Sequence, residues 1–308
     1  MSSRTAAWIV ALILIGTPAL GAELFYMDHD PLSKEYVGPT GPLVLSGEID
    51  PGDYDRLLSK ISEDESRFIE QNKLLLASDG GDVTEAIKIA HLVKALYTEV
   101  VVGPLTGRCV GVCFLIYAAA DQRVTDGPRL IGIHRPEFDD ADWDLLSPPD
   151  QWLLEEDLLA QTRALLQDNG VPVYLVDEMF RHTANDVYWL SERDERALGA
   201  MSPPFEQLLT AKCAWSDTLE QAVYKGERPM EDLKEMWACR TRVTQPAAHE
   251  ALALALKEKS APDTDAKTKP GAHCRKKGTA IPHSDDCPDK PNGTNAPQSK
   301  NRPAASQP

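Results

Sequence analysis

Three short stretches hold residue types that could do chemistry. In "SDGGDV" (78–83), Gly80 and Gly81 stand between an apolar run and an amphipathic one. Paired glycines there let backbone N–H groups come close to a ligand, although a helix-starting turn explains the same pair. In "GRCVGVC" (107–113), Cys109 and Cys113 lie four residues apart around Gly111. In "LIGIHRP" (130–136), His134 follows an apolar run and offers an imidazole that could activate a water.

The two cysteines admit three arrangements. Helical neighbours at their spacing have Cβ atoms about 5–6 Å apart, whereas a disulfide needs roughly 3.5–4.5 Å. A Cys109–Cys113 bridge therefore requires a tightened or irregular first turn, which the glycine between them eases. Two unbridged, buried cysteines are the second arrangement. A zinc site shared with His134 is the third, but no fourth ligand stands out and an oxidising compartment disfavours it. No metal and no cofactor are expected. Ser78 reads as a turn or cap residue ahead of the glycine pair. Thr106 stands before the apolar helix and is a weaker candidate still. His91 and His182 fall on predicted helices, as surface or core residues. "EFDDADWD" (137–144) reads as a solvated acidic run, or as a site for a cation or a basic peptide.

The elements that must position these residues alternate in type. Residues 42–49 read as a strand, and Tyr54, Leu57, Leu58 and Ile61 follow at helical spacing. A second strand ends at Ser78. An amphipathic helix runs from Val83 to Tyr97, with Ala86, Ala90, Val93 and Leu96 on one side. "TEVVVGPL" (98–105) is a third strand, and Cys109–Ala120 a helix. "QRVTD" and "RLIGIH" are short strands. Ser147 caps a long helix that has prolines at its start and Gly170 at its end. Pro172 opens another helix, through about Arg181, and Ser191 caps a short one ending near Gly199. Strands alternating with helices predict an α/β domain with a largely parallel sheet, whose binding sites lie at the carboxyl ends of the strands. The glycine pair and the cysteine bracket both fall there. Residues 40–205 form this domain, 206–257 a small helical appendage, and 258–308 a disordered Pro- and Lys-rich tail.

The chain of 308 residues carries a formal net charge of −16. That balance argues against broad nucleic-acid binding, which needs basic patches to meet phosphate. Residues 1–22 combine Arg4, an apolar run from Ala6 to Ile15, and small residues at Ala19, Gly21 and Ala22. They read as a cleaved secretory signal peptide. An uncleaved anchor is the alternative, although the apolar run is short for a span. No later segment is expected to cross a bilayer, so the expected location is periplasmic or secreted. Six cysteines suit such a compartment. Order along the chain suggests Cys109–Cys113, Cys213–Cys239 and Cys274–Cys287, one of about fifteen pairings open to six cysteines.

The succession of "SDGGDVTEAIKIAHLV", "GRCVGVCFLIYAAADQR" and "LIGIHRP" resembles the Clp protease proteolytic subunit and the wider Clp–crotonase superfamily, especially its exported, cysteine-flanked relatives in bacteria. The resemblance covers about residues 42–202 and implies a fold of stacked β-β-α units. It also implies roles. Gly80 and Gly81 match the glycine pair, one of whose N–H groups lines the oxyanion hole, and Val112 matches the second donor. His134 matches the general base and Asp186 the carboxylate that orients it, with slightly longer spacing around "VYWLS". The nucleophilic serine should fall at Gly111, where this chain offers no side chain. Three functions are consistent with that departure. One is a catalytically silenced, serine-peptidase-like module binding a peptide or protein in its cleft. The second is an active serine-free hydrolase or crotonase-type enzyme using His134 and a backbone oxyanion hole. The third is an assembly role, since relatives form rings or trimers and a homo-oligomer is implied.

Overall fold

The computed structural model describes residues 21–28, 41–103, 107–137 and 146–260. Residues 1–20 of the stretch read as a leader, Thr106, residues 138–144 of the acidic run, Cys274 and Cys287, and the residues beyond Ser260 lie outside these. The chain divides into two compact units, 1–261 and 262–308, and every described residue belongs to the first.

Short Leu- and Val-rich runs build the main sheet. Strands β1 (Glu23–Tyr26), β2 (Leu43–Ser46), β3 (Lys73–Ala77), β4 (Glu99–Val102) and β6 (Gln122–Thr125) lie side by side in that order. β2, β3, β4 and β6 run parallel, and β1 closes the edge antiparallel to β2. The parallel strands need crossovers. These are α1 (Asp53–Glu63) with α2 (Glu65–Gln71), then α3 (Val83–Ala95), then α4 (Cys113–Ala119). All seven residues of α4 are buried. That is why "CFLIYAA" shows no polar face: a helix apolar all round belongs inside.

A second sheet joins β5 (Cys109–Val110), β7 (Ile131–Ile133) and β8 (Tyr188–Trp189). Ser78, one residue past β3, bridges to Cys109 and ties the two sheets together. Here the structure corrects the reading of 109–120 as one helix. Cys109 and Val110 are paired with β7 as a strand, Gly111 turns the chain at φ 61°, and the helix starts only at Cys113. A strand–turn–helix brings the two cysteine Cα atoms to 5.3 Å and lets the disulfide close without distorting a helical turn. The zinc arrangement goes with it, because neither sulfur is a free thiolate.

Arg123 on β6 locks the far side. Its buried guanidinium donates to the carbonyls of Ala118, Asn169 and Leu198. These close α4, α5 (Pro148–Asp168) and α7 (Glu192–Leu198). One cation thus meets the negative ends of three helix dipoles. Burial pushes the Arg123 guanidinium down to about 10 and the neighbouring Asp121 carboxyl up to about 6. Ser202 donates to that carboxylate at 2.8 Å.

Between α5 and α7 lies α6 (Val173–Arg181). Beyond them come α8 (Pro203–Cys213), α9 (Asp217–Tyr224) and α10 (Met230–Ser260). Phe205, Leu209, Trp215, Val223, Leu233 and Met236 form their own small core. A Cys213–Cys239 disulfide staples it. The end of α10 returns Ala248 and Leu252 to the main core.

Candidate active site

The turn between β3 and α3 is built from its own backbone. Ser78 is buried, and its hydroxyl donates to the Gly80 carbonyl at 3.0 Å and accepts from the Gly80 N–H at 3.1 Å. It is a turn residue, with both hydrogen-bonding roles engaged. Asp82 caps α3 by accepting from the Glu85 N–H at 2.6 Å. Ile49 runs alongside, donating to the Gly80 carbonyl and accepting from the Asp82 N–H. Gly81 lies between those two bonds at φ 131°, and a Cβ there would overlap the Ile49 carbonyl. The fold therefore requires that glycine.

Gly80 also faces the start of α4. A Cβ built on it would stand 3.4 Å from the Val110 carbonyl oxygen and 3.9 Å from the Val112 nitrogen. The glycine turn and the cysteine-bracketed turn are thus neighbours. The Gly80 N–H is occupied by Ser78. Among the described residues no acceptor is found for the N–H of Gly81 or of Val112.

His134 stands at the carboxyl end of β7, half-buried. Its Nδ1 lies 2.9 Å from the Arg135 carbonyl oxygen. A carbonyl only accepts, so Nδ1 carries the proton of the neutral ring and Nε2 keeps its lone pair. Nε2 is turned onto Gly111, 2.5 Å from where a Cβ on that residue would be. The imidazole occupies the space in which a side chain at 111 would begin.

Asp186 is elsewhere. It is exposed, and its Oδ2 lies 2.9 Å from Nδ1 of His182. The His182 Nε2 lies 3.2 Å from Glu178 Oε2. The Asp186 hydrogen bond, aided by Glu178, raises the His182 imidazole above its ordinary range despite some burial. No ion pair joins His134 to Asp186. The structure brings Gly80, Gly81, Gly111, Val112 and His134 together and leaves Asp186 with another histidine. The chain from His182 to Asp186 does adjoin the site, since Arg135 N–H donates to the His182 carbonyl and Ala184 N–H to Glu137. His91 is exposed on α3.

One buried carboxylate near this region escaped the sequence reading. Asp194 accepts from Tyr174, Tyr188, the Ser191 N–H and the Ser191 hydroxyl. Burial pushes its carboxyl up, but these hydrogen bonds outweigh that and hold it below the ordinary value. Ser191 and Asp194 at capping-box spacing were the available signal.

A cavity of about 540 Å³ opens beside the glycine turn. Ser46, Glu48, Asp79, Gly80, Gly81 and Arg108 are among its lining residues. It reaches the site at Gly80 and Gly81. Arg108 pairs with Asp79 at 3.0 Å and lies 5.8 Å from the Trp189 ring centroid. Among the described residues no group of three or more His, Cys, Asp or Glu side chains is placed to hold a metal ion. No helix among them is long and apolar enough to cross a membrane.

No family model matches the chain, and no curated protein matches it. Among solved structures the chain is similar to a mutant of ClpP1 from Listeria monocytogenes, at 19% identity and a TM-score of 0.37. The match covers 53% of this chain and 89% of that one.

Proposed function

We propose that the chain is an exported, serine-peptidase-like protein whose catalytic nucleophile is absent and whose cleft holds an extended peptide or a loop of a partner protein without cutting it. One observation carries the reading: Gly111 sits at a strand-to-helix turn with His134 Nε2 2.5 Å from where its Cβ would be. A strained turn of this kind is where a hydrolase exposes a nucleophile. Acyl transfer needs a side-chain oxygen or sulfur at that point, activated by the base, and glycine has neither. The N–H groups of Gly81 and Val112, which have no acceptor among the described residues, are the donors we assign to a bound carbonyl. In this reading Asp186 does not orient the base; the Arg135 carbonyl does.

The His134 tautomer favours a second reading, in which Nε2 takes a proton from water and the chain is a slow serine-free hydrolase. Triad-deleted serine proteases retain about 10³–10⁴-fold catalysis over water from binding and the oxyanion hole. A hydrolysis panel of peptides and esters separates the two. The binding reading expects no turnover by the natural protein above the His134→Ala background. Turnover that disappears in His134→Ala establishes the hydrolase. If the protein self-associates, exposed Trp152, Leu153 and Leu154 on α5 are the surface to probe. No cofactor or nucleic acid enters either reading.

A further inference from the structure

Ala22 lies at the end of the stretch read as a leader, and it is wholly buried. Its N–H donates to Asp53 Oδ2 at 3.0 Å. Asp53 opens α1 and is also wholly buried. The same Oδ2 accepts from the Asp50 N–H at 2.9 Å. Oδ1 has no hydrogen bond of acceptable geometry; only the half-exposed Arg56 guanidinium stands against it as an ion pair. A carboxylate this deep needs both oxygens satisfied and its charge met. Gly21 packs beside that oxygen and the Arg56 guanidinium. A Cβ on Gly21 would overlap Arg56 and stand 2.6 Å from Asp53 Oδ1.

We propose that the Gly21–Ala22 peptide bond is cut during export and that the resulting α-ammonium of Ala22 is the buried counter-ion of Asp53. A peptide N–H brings one donor to this carboxylate. An ammonium brings three donors and a full positive charge to a buried carboxylate that otherwise has only the half-exposed Arg56 against one oxygen. Ala19 and Gly21 are small residues at the third and first positions before the cut, which a leader peptidase accepts. The boundary falls one residue before the 1–22 limit read from sequence. The step is a hydrolysis: water adds its hydroxyl to the Gly21 carbonyl carbon, the C–N bond breaks, and the Ala22 amine takes the proton and a second one from solvent. Because Ala22 is buried in the folded chain, the cut precedes folding. β1 begins at the next residue, so its pairing with β2 holds the new terminus in place.

The inference shares with the proposed function only the export of the chain, and it stands or falls independently of Gly111. The full chain, with its own leader, is expressed in an exporting bacterium and recovered from the periplasm. N-terminal sequencing and intact mass should give Ala22 as the first residue. An amine-selective reagent should then label the α-amine of the native protein about tenfold more slowly than that of the urea-unfolded protein, the change that a one-unit rise in amine pKa alone produces. Asp53→Asn should abolish that protection. Should this variant not accumulate, a chain refolded with Gly21 as its first residue is compared with one starting at Ala22, and should melt at the lower temperature. A mature chain beginning at Glu23 or retaining its leader overturns the proposal. So does an Ala22 amine labelled equally fast in the native and unfolded protein, or equal melting temperatures for the two starts.

Discussion

Gly81 and Gly111 both stand at strand-to-helix turns with positive φ, yet the surroundings that exclude a side chain are different. At Gly81 the obstruction is backbone: Ile49 nitrogen and carbonyl carbon would stand 2.7 and 2.9 Å from a Cβ. At Gly111 the obstruction is the tip of one imidazole. Backbone held in a β-bridge cannot retreat, whereas a half-buried histidine ring can rotate. The first glycine is a demand of the fold. The second is only favoured by its φ. Packing alone therefore demands the glycine at 81 and not the one at 111.

The contrast breaks first at Gly81. Gly81→Ala adds both a left-handed backbone penalty and an overlap with main chain, and should destabilise by about 3 kcal/mol or more. A chemical-denaturation midpoint close to the natural protein's would remove the distinction between the two turns. Opening the disulfide that brackets Gly111 comes next. A double Cys109→Ser, Cys113→Ser variant should lose about 2 kcal/mol, the entropy of so short a loop. The expected loss sits on the β5–α4 turn, so hydrogen exchange there should rise more than at Gly81. Gly111→Ala should cost only about 1–2 kcal/mol, the left-handed penalty without backbone overlap. Its His134 ring resonances should shift while those of His182 stay. Gly111→Ser should fold equally well. Esterase activity appearing in Gly111→Ser and vanishing in Gly111→Ser/His134→Ala would show that His134 can activate a hydroxyl placed at 111. Destabilisation matching that of Gly81→Ala would mean that both glycines serve the fold.

The sequence made parts of this arrangement legible and hid others for identifiable reasons. Ala86, Ala90 and Val93 repeat at helical spacing, and α3 is found within two residues of where that pattern puts it. The Cys109–Ala120 stretch was apolar throughout, so periodicity could not separate a buried two-residue strand from the buried helix after it. β1 and β8 are four and two residues long, too short for an alternating pattern to register. Ile49, which makes Gly81 obligatory, lies 32 positions away in sequence, and only the fold reveals that contact. His134 lies against Gly111, whereas Asp186 bonds to His182, a pairing that spacing along the chain did not single out.

That partner allows the smallest and sharpest test. Glu178, His182 and Asp186 follow one another at intervals of four, which brings both carboxylates onto one ring; His134 has a carbonyl instead. An exposed ion pair of this kind contributes little stability, so the readout is titration. The hydrogen bond to Asp186 raises the His182 pKa, and such a group stabilises the fold below its unfolded value of about 6.5 and loses that contribution as pH rises through its folded value. In an NMR titration His182 should therefore have its midpoint above the ordinary histidine value. Asp186→Asn should lower it toward that value. A His182 midpoint that stands still in Asp186→Asn would mean that Asp186 has another partner in solution. The contrast between the two histidines would then be lost.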